Sequence, residues 1–336
     1  MINVAINGFG RIGRSFLRAV LQDKIATEKL KIVAINVGPA NAEHTAHMFK
    51  YDTVMGTFSG EVKMQNGALV IDGYKIKLIS QLDPCQANWD KLSVDWVLEA
   101  CGKFTDREGA SKHFDGGAKA VLISAPAKNE DVTIIPGIND AAFDKTKHKI
   151  VSLGSCSTNA LVPMLKVLHD QFVVEHAFMT SIHAYTNTQV LLDVEHKDLR
   201  RARAAALNII PTTTGATKVL EKVFPELQGR VGGKAVRVPV ADVSLIDLVF
   251  TTKKPFSLEW VQKAFETAAQ GPLKNILAVT NEQLVSCDFI GNSHSVTIDL
   301  SLSDVRGNIG KVFGWYDNEW GYSVRLKDFL VRVSSL

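Results

Sequence analysis

The stretch that decides the fold is residues 2–13, INVAINGFGRIG. Its first six residues are rich in β-formers and alternate little, as expected of a strand buried on both faces. A glycine-rich turn follows, then a helical pattern over residues 14–23 and a second buried strand at 31–36. This order of strand, turn, helix and strand predicts a dinucleotide site in which the phosphates rest on the helix N-terminus.

Three glycines of the turn each have a structural task in such a site. We expect Gly8 to make the tight turn, Gly10 to let the backbone approach a pyrophosphate, and Gly13 to allow close packing of helix on strand. The acidic residue that would hold the adenosine ribose is missing, because Val37 follows the second strand. No Lys or Arg lies between Val37 and His47 to bind a 2′-phosphate, so the sequence favours NAD and leaves NADP open.

Later segments of the first half continue the same sheet. Residues 60–80 contain two hairpin turns, and buried-strand patterns return at 95–100 and 120–124. Ligands of a doubly wound sheet lie outside the carboxyl ends of its strands. Gly102 and Ser124 stand at such ends, so each is either a cofactor contact or a residue of a tight turn.

A polar cluster at residues 155–159, SCSTN, separates an apolar run from a helix-like stretch at 160–169. This pattern predicts a helix with a thiol in its first turn, where unpaired backbone N–H groups and the helix dipole favour thiolate over thiol. His183 ends the next apolar run, and an imidazole beside a thiol can take and return its proton. Cys156 and His183 are therefore the candidate catalytic pair, with an inert buried thiol as the alternative.

The second half of the chain has a different pattern of apolar and polar residues. Several segments alternate apolar and polar residues, as at Val296, Ile298 and Leu300, and a helical pattern covers 258–270. The sequence thus predicts an α/β Rossmann-type dinucleotide-binding domain over residues 1–155. An α+β catalytic domain with a mostly antiparallel sheet is predicted over 156–318.

Composition excludes several other classes of protein. The 336 residues are 46% hydrophobic and 22% charged, and the net charge is +3. Lys and Arg are spread along the chain, so the sequence does not suggest a basic surface for nucleic acid. The four cysteines are too scattered for a disulfide framework, and no pair has metal-site spacing. No apolar stretch reaches membrane-spanning length and no signal-peptide pattern is present, so we expect a cytoplasmic protein.

Short hydroxyl and guanidinium side chains follow His183 in the chain. Thr186, Arg201, the run 212–214 and Arg237 are the groups that phosphate oxyanions require, although each alone is equally compatible with a turn or a solvated surface. The residues by themselves predict a nucleotide-dependent enzyme with a covalent cysteine intermediate and an anionic substrate.

With these residues in view, the chain resembles the phosphorylating glyceraldehyde-3-phosphate dehydrogenases over essentially its whole length. The matching motifs are residues 7–14 (NGFGRIGR), 50–52 (KYD), 155–159 (SCSTN), 183–187 (HAYTN), 198–203 (DLRRAR), 211–216 (PTTTGA) and 315–322 (WYDNEWGY). The resemblance implies that Cys156 adds to the aldehyde and that His183 is the base that activates it. In the family, the hemithioacetal passes a hydride to the nicotinamide, and inorganic phosphate then attacks the thioester to release an acyl phosphate.

The resemblance also implies roles for the remaining site residues. Arg11 and Ile12 would contact the cofactor phosphates, Ser124 the ribose or nicotinamide side, and Asn318 the nicotinamide carboxamide. The candidate cofactor-binding residues are Asn7, Gly8, Gly10, Arg11, Ile12, Gly13, Ser124 and Asn318. The candidate phosphate ligands are Thr186 and Arg237 for the phosphate of the substrate, and Ser155, Ser157, Arg201, Thr214 and Gly215 for the attacking phosphate.

A homotetramer is a further implication, in which the loop 184–203 reaches towards the cofactor of a neighbour and a C-terminal helix over 319–336 docks on the first domain. The partners would be glyceraldehyde 3-phosphate and inorganic phosphate, with no membrane and no nucleic acid required. Two alternatives remain open. One is erythrose-4-phosphate dehydrogenase, against which Thr186 argues. The other is a nucleotide-binding or RNA-binding protein that has kept the fold and lost the chemistry.

The chain departs from the family pattern at three positions. Ser157 stands where Thr is usual, and it keeps the hydroxyl. Val37 replaces the usual Asp and leaves the choice between NAD and NADP open, while Thr188 replaces a common acidic residue without a derivable consequence. In the family, the position of Glu195 lies near the adenosine ribose of a neighbour, where a carboxylate should repel a 2′-phosphate.

Overall fold

The computed structural model describes residues 1–336, apart from the side chain of Ala42. The chain divides into two compact units. The first comprises Met1–Gly154 with Ser323–Leu336, and the second comprises Ser155–Tyr322.

The first unit is a nine-stranded sheet flanked by helices. Its elements are β1 (Ile2–Asn7), α1 (Arg11–Leu21), α2 (Lys24–Lys29), β2 (Leu30–Asn36), α3 (Ala42–Lys50), β3 (Val62–Gln65), β4 (Ala68–Ile71), β5 (Tyr74–Ile79), β6 (Trp96–Glu99), α4 (Arg107–Asp115), β7 (Ala120–Ile123), β8 (Val132–Thr133) and β9 (Ile150–Ser152). The strand order is β3-β4-β5-β2-β1-β6-β7-β9-β8. All pairs from β5 to β8 are parallel, whereas β3, β4 and β5 form antiparallel hairpins.

Burial explains why the central strands carry so few polar residues. Every residue of β6 and β7 is buried, and so are Val4, Ala5 and Ile6 of β1. Parallel strands with both faces covered require this continuous apolar pattern. The α/β dinucleotide-binding fold predicted for the first half is confirmed.

The second unit is built on a seven-stranded mixed sheet. Its elements are α5 (Cys156–Phe172), β10 (Val174–Ala184), β11 (Ile210–Thr212), α6 (Ala216–Val223), β12 (Val231–Val238), β13 (Ser244–Thr252), α7 (Leu258–Gln270), β14 (Leu277–Thr280), β15 (Val296–Arg306) and β16 (Ile309–Tyr316). The strand order is β11-β12-β10-β13-β16-β15-β14. Only the β12–β10 and β14–β15 pairs are parallel, so the predicted α+β fold with a mostly antiparallel sheet is confirmed.

Helix α5 is the core helix of the second unit. It lies against β13, β15 and β16, and its residues Ala160–Leu165 are buried. The approach is close at Gly314 of β16, where an added Cβ would lie 2.9 Å from the Sδ atom of Met164. The sheet thereby fixes the position of the middle of α5.

The last helix, α8 (Trp320–Val333), packs on the first unit through its residues after Tyr322. The ring of Phe329 meets the rings of Trp96 and Phe143 edge-on, with centroid distances of 5.7 and 5.2 Å. Lys327 forms an ion pair with Asp23, the residue that caps α2. None of the described helices has the length and apolar character needed to cross a membrane.

Candidate active site

Cys156 is the first residue of α5, as the sequence predicted for its place in the first helical turn. The helix begins there because Ser155 caps it: Ser155 Oγ accepts a hydrogen bond from the backbone N–H of Thr158 at 3.1 Å, and Thr158 Oγ1 accepts one from the N–H of Ser155 at 3.3 Å. The hydroxyl of Ser155, a candidate phosphate ligand, is therefore already engaged in capping the helix that carries the thiol.

The structure brings Cys156 and His183 together. His183 is the penultimate residue of β10, and its Nε2 lies 3.5 Å from the Sγ of Cys156. The thiol is partly buried and the imidazole is buried. A sulfur and a ring nitrogen at this distance can exchange a proton directly.

The second nitrogen of His183 has two close neighbours. Nδ1 lies 2.7 Å from the carbonyl oxygen of Ala184, which can only accept, and 2.8 Å from Arg237 NH1, which can only donate. Arg237 NH1 also donates to the same carbonyl at 2.9 Å. General-base action at Nε2 requires the tautomer with the proton on Nδ1, and the Ala184 carbonyl is the acceptor for that proton.

Electrostatics keep the pair neutral in the free chain. Burial, reinforced by the positive charge of Arg237, lowers the pKa of His183 to about 3, although the bond to Ala184 opposes this. Burial also raises the pKa of the Cys156 thiol, and Arg237 acts against that rise. The sequence predicted a thiolate from the helix N-terminus alone, but desolvation outweighs that effect here.

Arg237 reaches this site through strand pairing. β10 and β12 run parallel with His183 and Arg237 in register. The Nε of Arg237 is buried and has no hydrogen-bond partner among the described residues. A buried guanidinium donor without a partner has unused capacity for an anionic ligand.

Ser157 bonds to the protein. Its hydroxyl lies 2.8 Å from the OH of Tyr316, which also lies 3.0 Å from Ser181 Oγ. All three side chains are buried, and the Tyr316 ring meets the His183 ring edge-on at 6.0 Å. Tyr316 and Ser181 were missed by sequence reasoning, although Tyr316 lies inside one of the matching motifs.

The other phosphate candidates lie on the segments after β10. Thr186 Oγ1 is 2.9 Å from the hydroxyl of Thr188, and Arg201 donates from Nε to Thr212 Oγ1 at 2.9 Å. Thr214 Oγ1 accepts from the N–H of Ala216 at 3.2 Å. Gly215 is the N-cap residue of α6, where an added Cβ would meet nothing within 4 Å.

Asn318 follows β16 and is buried. Its Oδ1 accepts a hydrogen bond from Ser244 Oγ at 2.7 Å. The same hydroxyl accepts from the backbone N–H of Ala184 at 3.1 Å. Ser244, which sequence reasoning did not single out, thus joins Asn318 to the residue next to His183.

The glycine-rich turn of the first unit fits a dinucleotide. Gly8 has φ +96°, and an added Cβ would lie 2.5 Å from the backbone nitrogen of Cys101. At Gly13 it would lie 2.3 Å from the carbonyl oxygen of Gly8, whereas at Gly10 it would meet no described atom within 4 Å. Gly10 is also the N-cap residue of α1, and none of the described side chains caps that helix. The turn is therefore closed on the protein side and open at the helix N-terminus, as bound phosphate requires.

Two other cofactor candidates bond to the protein around Glu99, at the end of β6. Asn7 donates from Nδ2 to Glu99 Oε2 at 2.6 Å, and Ser124 Oγ donates to the Glu99 carbonyl at 2.9 Å. Arg11 forms an ion pair with Asp52. Ile12 lies in the first turn of α1, beside Arg11.

The end of β2 carries no carboxylate. Asn36 is buried, and its Nδ2 donates to Asn7 Oδ1 at 2.7 Å and to the Gln81 carbonyl at 2.9 Å. Val37 follows with its backbone N–H bonded to Ile79. Among the residues whose side chains are described, no group of three or more His, Cys, Asp or Glu is placed to hold a metal ion.

A dinucleotide turn in one unit and a thiol paired with an imidazole in the other are features of a nucleotide-dependent oxidoreductase. Comparison with known families identifies the family. Residues 2–107 match the model of the glyceraldehyde 3-phosphate dehydrogenase NAD binding domain, and residues 155–318 match that of the C-terminal domain. The chain belongs to the glyceraldehyde-3-phosphate dehydrogenase family, and NAD is its cofactor.

Full-length relatives agree with this assignment. The chain is 48% identical to glyceraldehyde-3-phosphate dehydrogenase 1 of Bacillus cereus over 336 residues, covering 100% of this chain and 99% of the relative. It is also 48% identical to the Geobacillus stearothermophilus glyceraldehyde-3-phosphate dehydrogenase over 335 residues, covering 99% and 98%. The identity is 46% to glyceraldehyde-3-phosphate dehydrogenase 2 of Bacillus subtilis, covering 99% and 97%. These matches favour neither the erythrose phosphate enzyme nor a binding protein without catalysis.

Proposed function

We propose that this chain converts glyceraldehyde 3-phosphate to 1,3-bisphosphoglycerate with NAD and inorganic phosphate, as a step of glycolysis and gluconeogenesis. The observation that carries the proposal is the 3.5 Å approach of the Cys156 Sγ to the His183 Nε2, with Arg237 on the far side of the imidazole. This arrangement supplies a nucleophile, a base and a cation for an anionic substrate.

In the first step, Cys156 adds to the aldehyde carbon. His183 takes the thiol proton at Nε2 as the S–C bond forms and returns it to the carbonyl oxygen, which gives a neutral hemithioacetal. NAD, when bound, accepts the hydride released from that carbon. His183 takes the proton from the hemithioacetal oxygen, so that Cys156 is left holding a thioester.

In the second step, an oxygen of inorganic phosphate attacks the thioester carbon and the C–S bond breaks. Cys156 leaves as a thiolate, and His183 returns its proton to the sulfur. The acyl phosphate departs, and thiol and imidazole are both neutral again, the state that burial favours in the free chain.

We assign the substrate phosphate to Arg237 and Thr186. The buried Nε of Arg237, which has no partner among the described side chains, supports this role. For the attacking phosphate we propose Arg201, Thr214 and Gly215, because Gly215 leaves open space at the N-terminus of α6. We include Ser155 and Ser157 in the same proposed site because they flank Cys156 in the sequence. Their hydroxyls already bond to Thr158 and Tyr316.

For the cofactor, we propose that the pyrophosphate rests on residues 8–13 at the N-terminus of α1. Arg11 and Ile12 would lie beside it, Ser124 near the ribose or nicotinamide, and Asn318 at the carboxamide. Asn7 would act by holding the turn through its bond to Glu99. We propose that NAD is preferred over NADP because no cation follows Val37 before His47 and because Glu195 carries a negative charge.

The assembly proposed is a homotetramer in the cytoplasm. Its support is the apolar surface of the segment after β10, where Leu191, Leu199 and Leu207 are 85%, 83% and 79% exposed. Large apolar side chains exposed along one segment are what a subunit interface would cover. All four cysteines are free thiols, which suits a reducing compartment.

The test of this function follows the absorbance of reduced nicotinamide with glyceraldehyde 3-phosphate. NAD and NADP are each compared with and without inorganic phosphate, and Cys156→Ser is the control. We expect NAD reduction that depends on phosphate and is lost in the variant. Reduction with erythrose 4-phosphate only, or with neither substrate, would overturn the proposal.

A further inference from the structure

The amide of Asn318 is held by one hydroxyl. Ser244 Oγ donates to Asn318 Oδ1 at 2.7 Å and accepts from the backbone N–H of Ala184 at 3.1 Å. Ser244, Ala184 and Asn318 are all buried. We propose that Ser244 is a positioning residue that fixes which end of the Asn318 amide faces the nicotinamide carboxamide.

The orientation follows from counting donors and acceptors. A serine hydroxyl has one hydrogen, and the N–H of Ala184 occupies an acceptor position on its oxygen. The hydrogen goes to the oxygen end of the Asn318 amide, so the Nδ2 end, with two donors, is the end left for a ligand. Turning the amide would replace the bond that Ser244 donates with one donated by Nδ2, and the serine hydrogen would then have to go to Tyr316, whose hydroxyl already bonds to Ser157 and Ser181.

The backbone before Ser244 is strained. Val243 has φ +65°, a left-handed conformation that is unusual for a β-branched residue. Such strain persists only where the surrounding structure holds it, and it is concentrated at functional sites. Here the turn places Ser244 at the start of β13, between Ala184 and Asn318.

This inference rests on the proposed contact between Asn318 and the nicotinamide carboxamide. An amide fixed as a donor selects the carboxamide oxygen. A 3-acetylpyridine cofactor keeps that oxygen, whereas a thionicotinamide cofactor presents sulfur, a weaker acceptor. Ser244 would therefore determine how strongly the protein distinguishes oxygen from sulfur at this position.

The experiment measures dissociation constants by calorimetry for NAD and the two analogues. We expect the unsubstituted chain to bind thionicotinamide cofactor about fivefold more weakly than NAD, the loss of one hydrogen bond. The acetylpyridine cofactor should bind like NAD. In Ser244→Ala the amide is free to turn, so the fivefold ratio should fall towards one. Ser303→Ala, which removes another buried hydroxyl bonded to a carbonyl, should keep the ratio.

A double-substitution cycle separates positioning from general damage. If Ser244 acts through Asn318, the double variant Ser244→Ala with Asn318→Ala should bind NAD no more weakly than Asn318→Ala alone. Additive losses, or an unchanged ratio in Ser244→Ala, would overturn the inference. If Ser244→Ala does not fold, Ser244→Cys fills the site with a slightly larger group that is a weaker donor, and it should give an intermediate ratio. An unchanged ratio in Ser244→Cys would overturn the inference equally.

The same data distinguish this inference from the proposed function. If Asn318→Ala binds NAD as tightly as the unsubstituted chain, the proposed contact of Asn318 fails and the inference fails with it. If Asn318→Ala weakens NAD binding while Ser244→Ala changes nothing, only the inference fails.

Discussion

Arg237 lies beside His183 in register on two parallel strands, with NH1 2.8 Å from Nδ1 of the imidazole. The guanidinium therefore acts on both members of the candidate catalytic pair. Its charge lowers the pKa of His183 and opposes the rise that burial causes in the pKa of Cys156. A single cation thus adjusts the nucleophile and the base while keeping one donor, Nε, without a partner among the described residues.

Removing this charge should make the thiol harder to ionise. The charge of Arg237 opposes the rise that burial causes in the thiol pKa, so that pKa should rise further in Arg237→Met. The measurement is the rate of iodoacetamide alkylation of Cys156 as a function of pH. Arg230→Met removes an exposed cation just before β12 and is the matched control. The same midpoint in Arg237→Met and in the unsubstituted chain would contradict this role.

Burial of His183 should make the fold sensitive to acid. The folded chain holds the pKa of His183 at about 3, below the ordinary imidazole value of 6.5, so the unfolded chain binds a proton first. Stability should therefore fall as pH decreases from 6.5 towards 3. His183→Asn should make the free energy of unfolding fall less with decreasing pH. This free energy is measured by urea denaturation at a fixed protein concentration. His176→Asn, at an exposed position of the same strand, should leave it as it is, and equal pH dependence in both variants would refute the explanation.

Two glycines of the dinucleotide turn should respond differently to alanine. A Cβ at Gly13 would lie 2.3 Å from the Gly8 carbonyl oxygen, whereas one at Gly10 meets nothing within 4 Å. We expect Gly13→Ala to lower the melting temperature by several degrees. Gly10→Ala should melt like the unsubstituted chain and bind NAD more weakly, because its methyl group would occupy the approach to the phosphates. The matched pair is checked by calorimetry and by NAD titration, and unchanged NAD affinity in Gly10→Ala would contradict the assignment of this turn.

Cofactor preference should depend on two positions. Val37→Asp supplies the missing carboxylate and should raise the preference for NAD about tenfold, whereas Val37→Asn lacks the charge and should do less. Glu195→Ser removes a negative charge and should improve the use of NADP. The readout is the ratio of kcat/KM for NAD to that for NADP. Unchanged ratios in both Val37→Asp and Glu195→Ser would remove this explanation.

Much of the fold could be predicted because its signals are local. The turn at Gly8–Gly13 and the helix that starts at Cys156 are determined by neighbouring residues, and the structure has both. Helices α3 and α6 were missed, and so were strands β11 and β14, because runs of three or four residues show little periodicity.

The site was harder to predict than the fold. The contact between Arg237 and His183 depends on the register of β10 and β12, which no local pattern encodes. The bond between Ser157 and Tyr316 joins residues that are 159 positions apart in sequence. Local reasoning at Cys156 considered the helix N-terminus, which favours the thiolate, and did not include the desolvation of the sulfur, which raises the pKa of the thiol.

The central claim is that Cys156 holds a thioester until inorganic phosphate removes it. In the most direct test, the protein is mixed with NAD and glyceraldehyde 3-phosphate in the absence of inorganic phosphate. The amount of reduced cofactor is followed by absorbance, and the mass of the protein is measured by mass spectrometry. We predict a burst of about one reduced cofactor per site and an acyl group on Cys156 that disappears when phosphate is added. Steady turnover without phosphate, or a burst without a covalent adduct, would contradict the account.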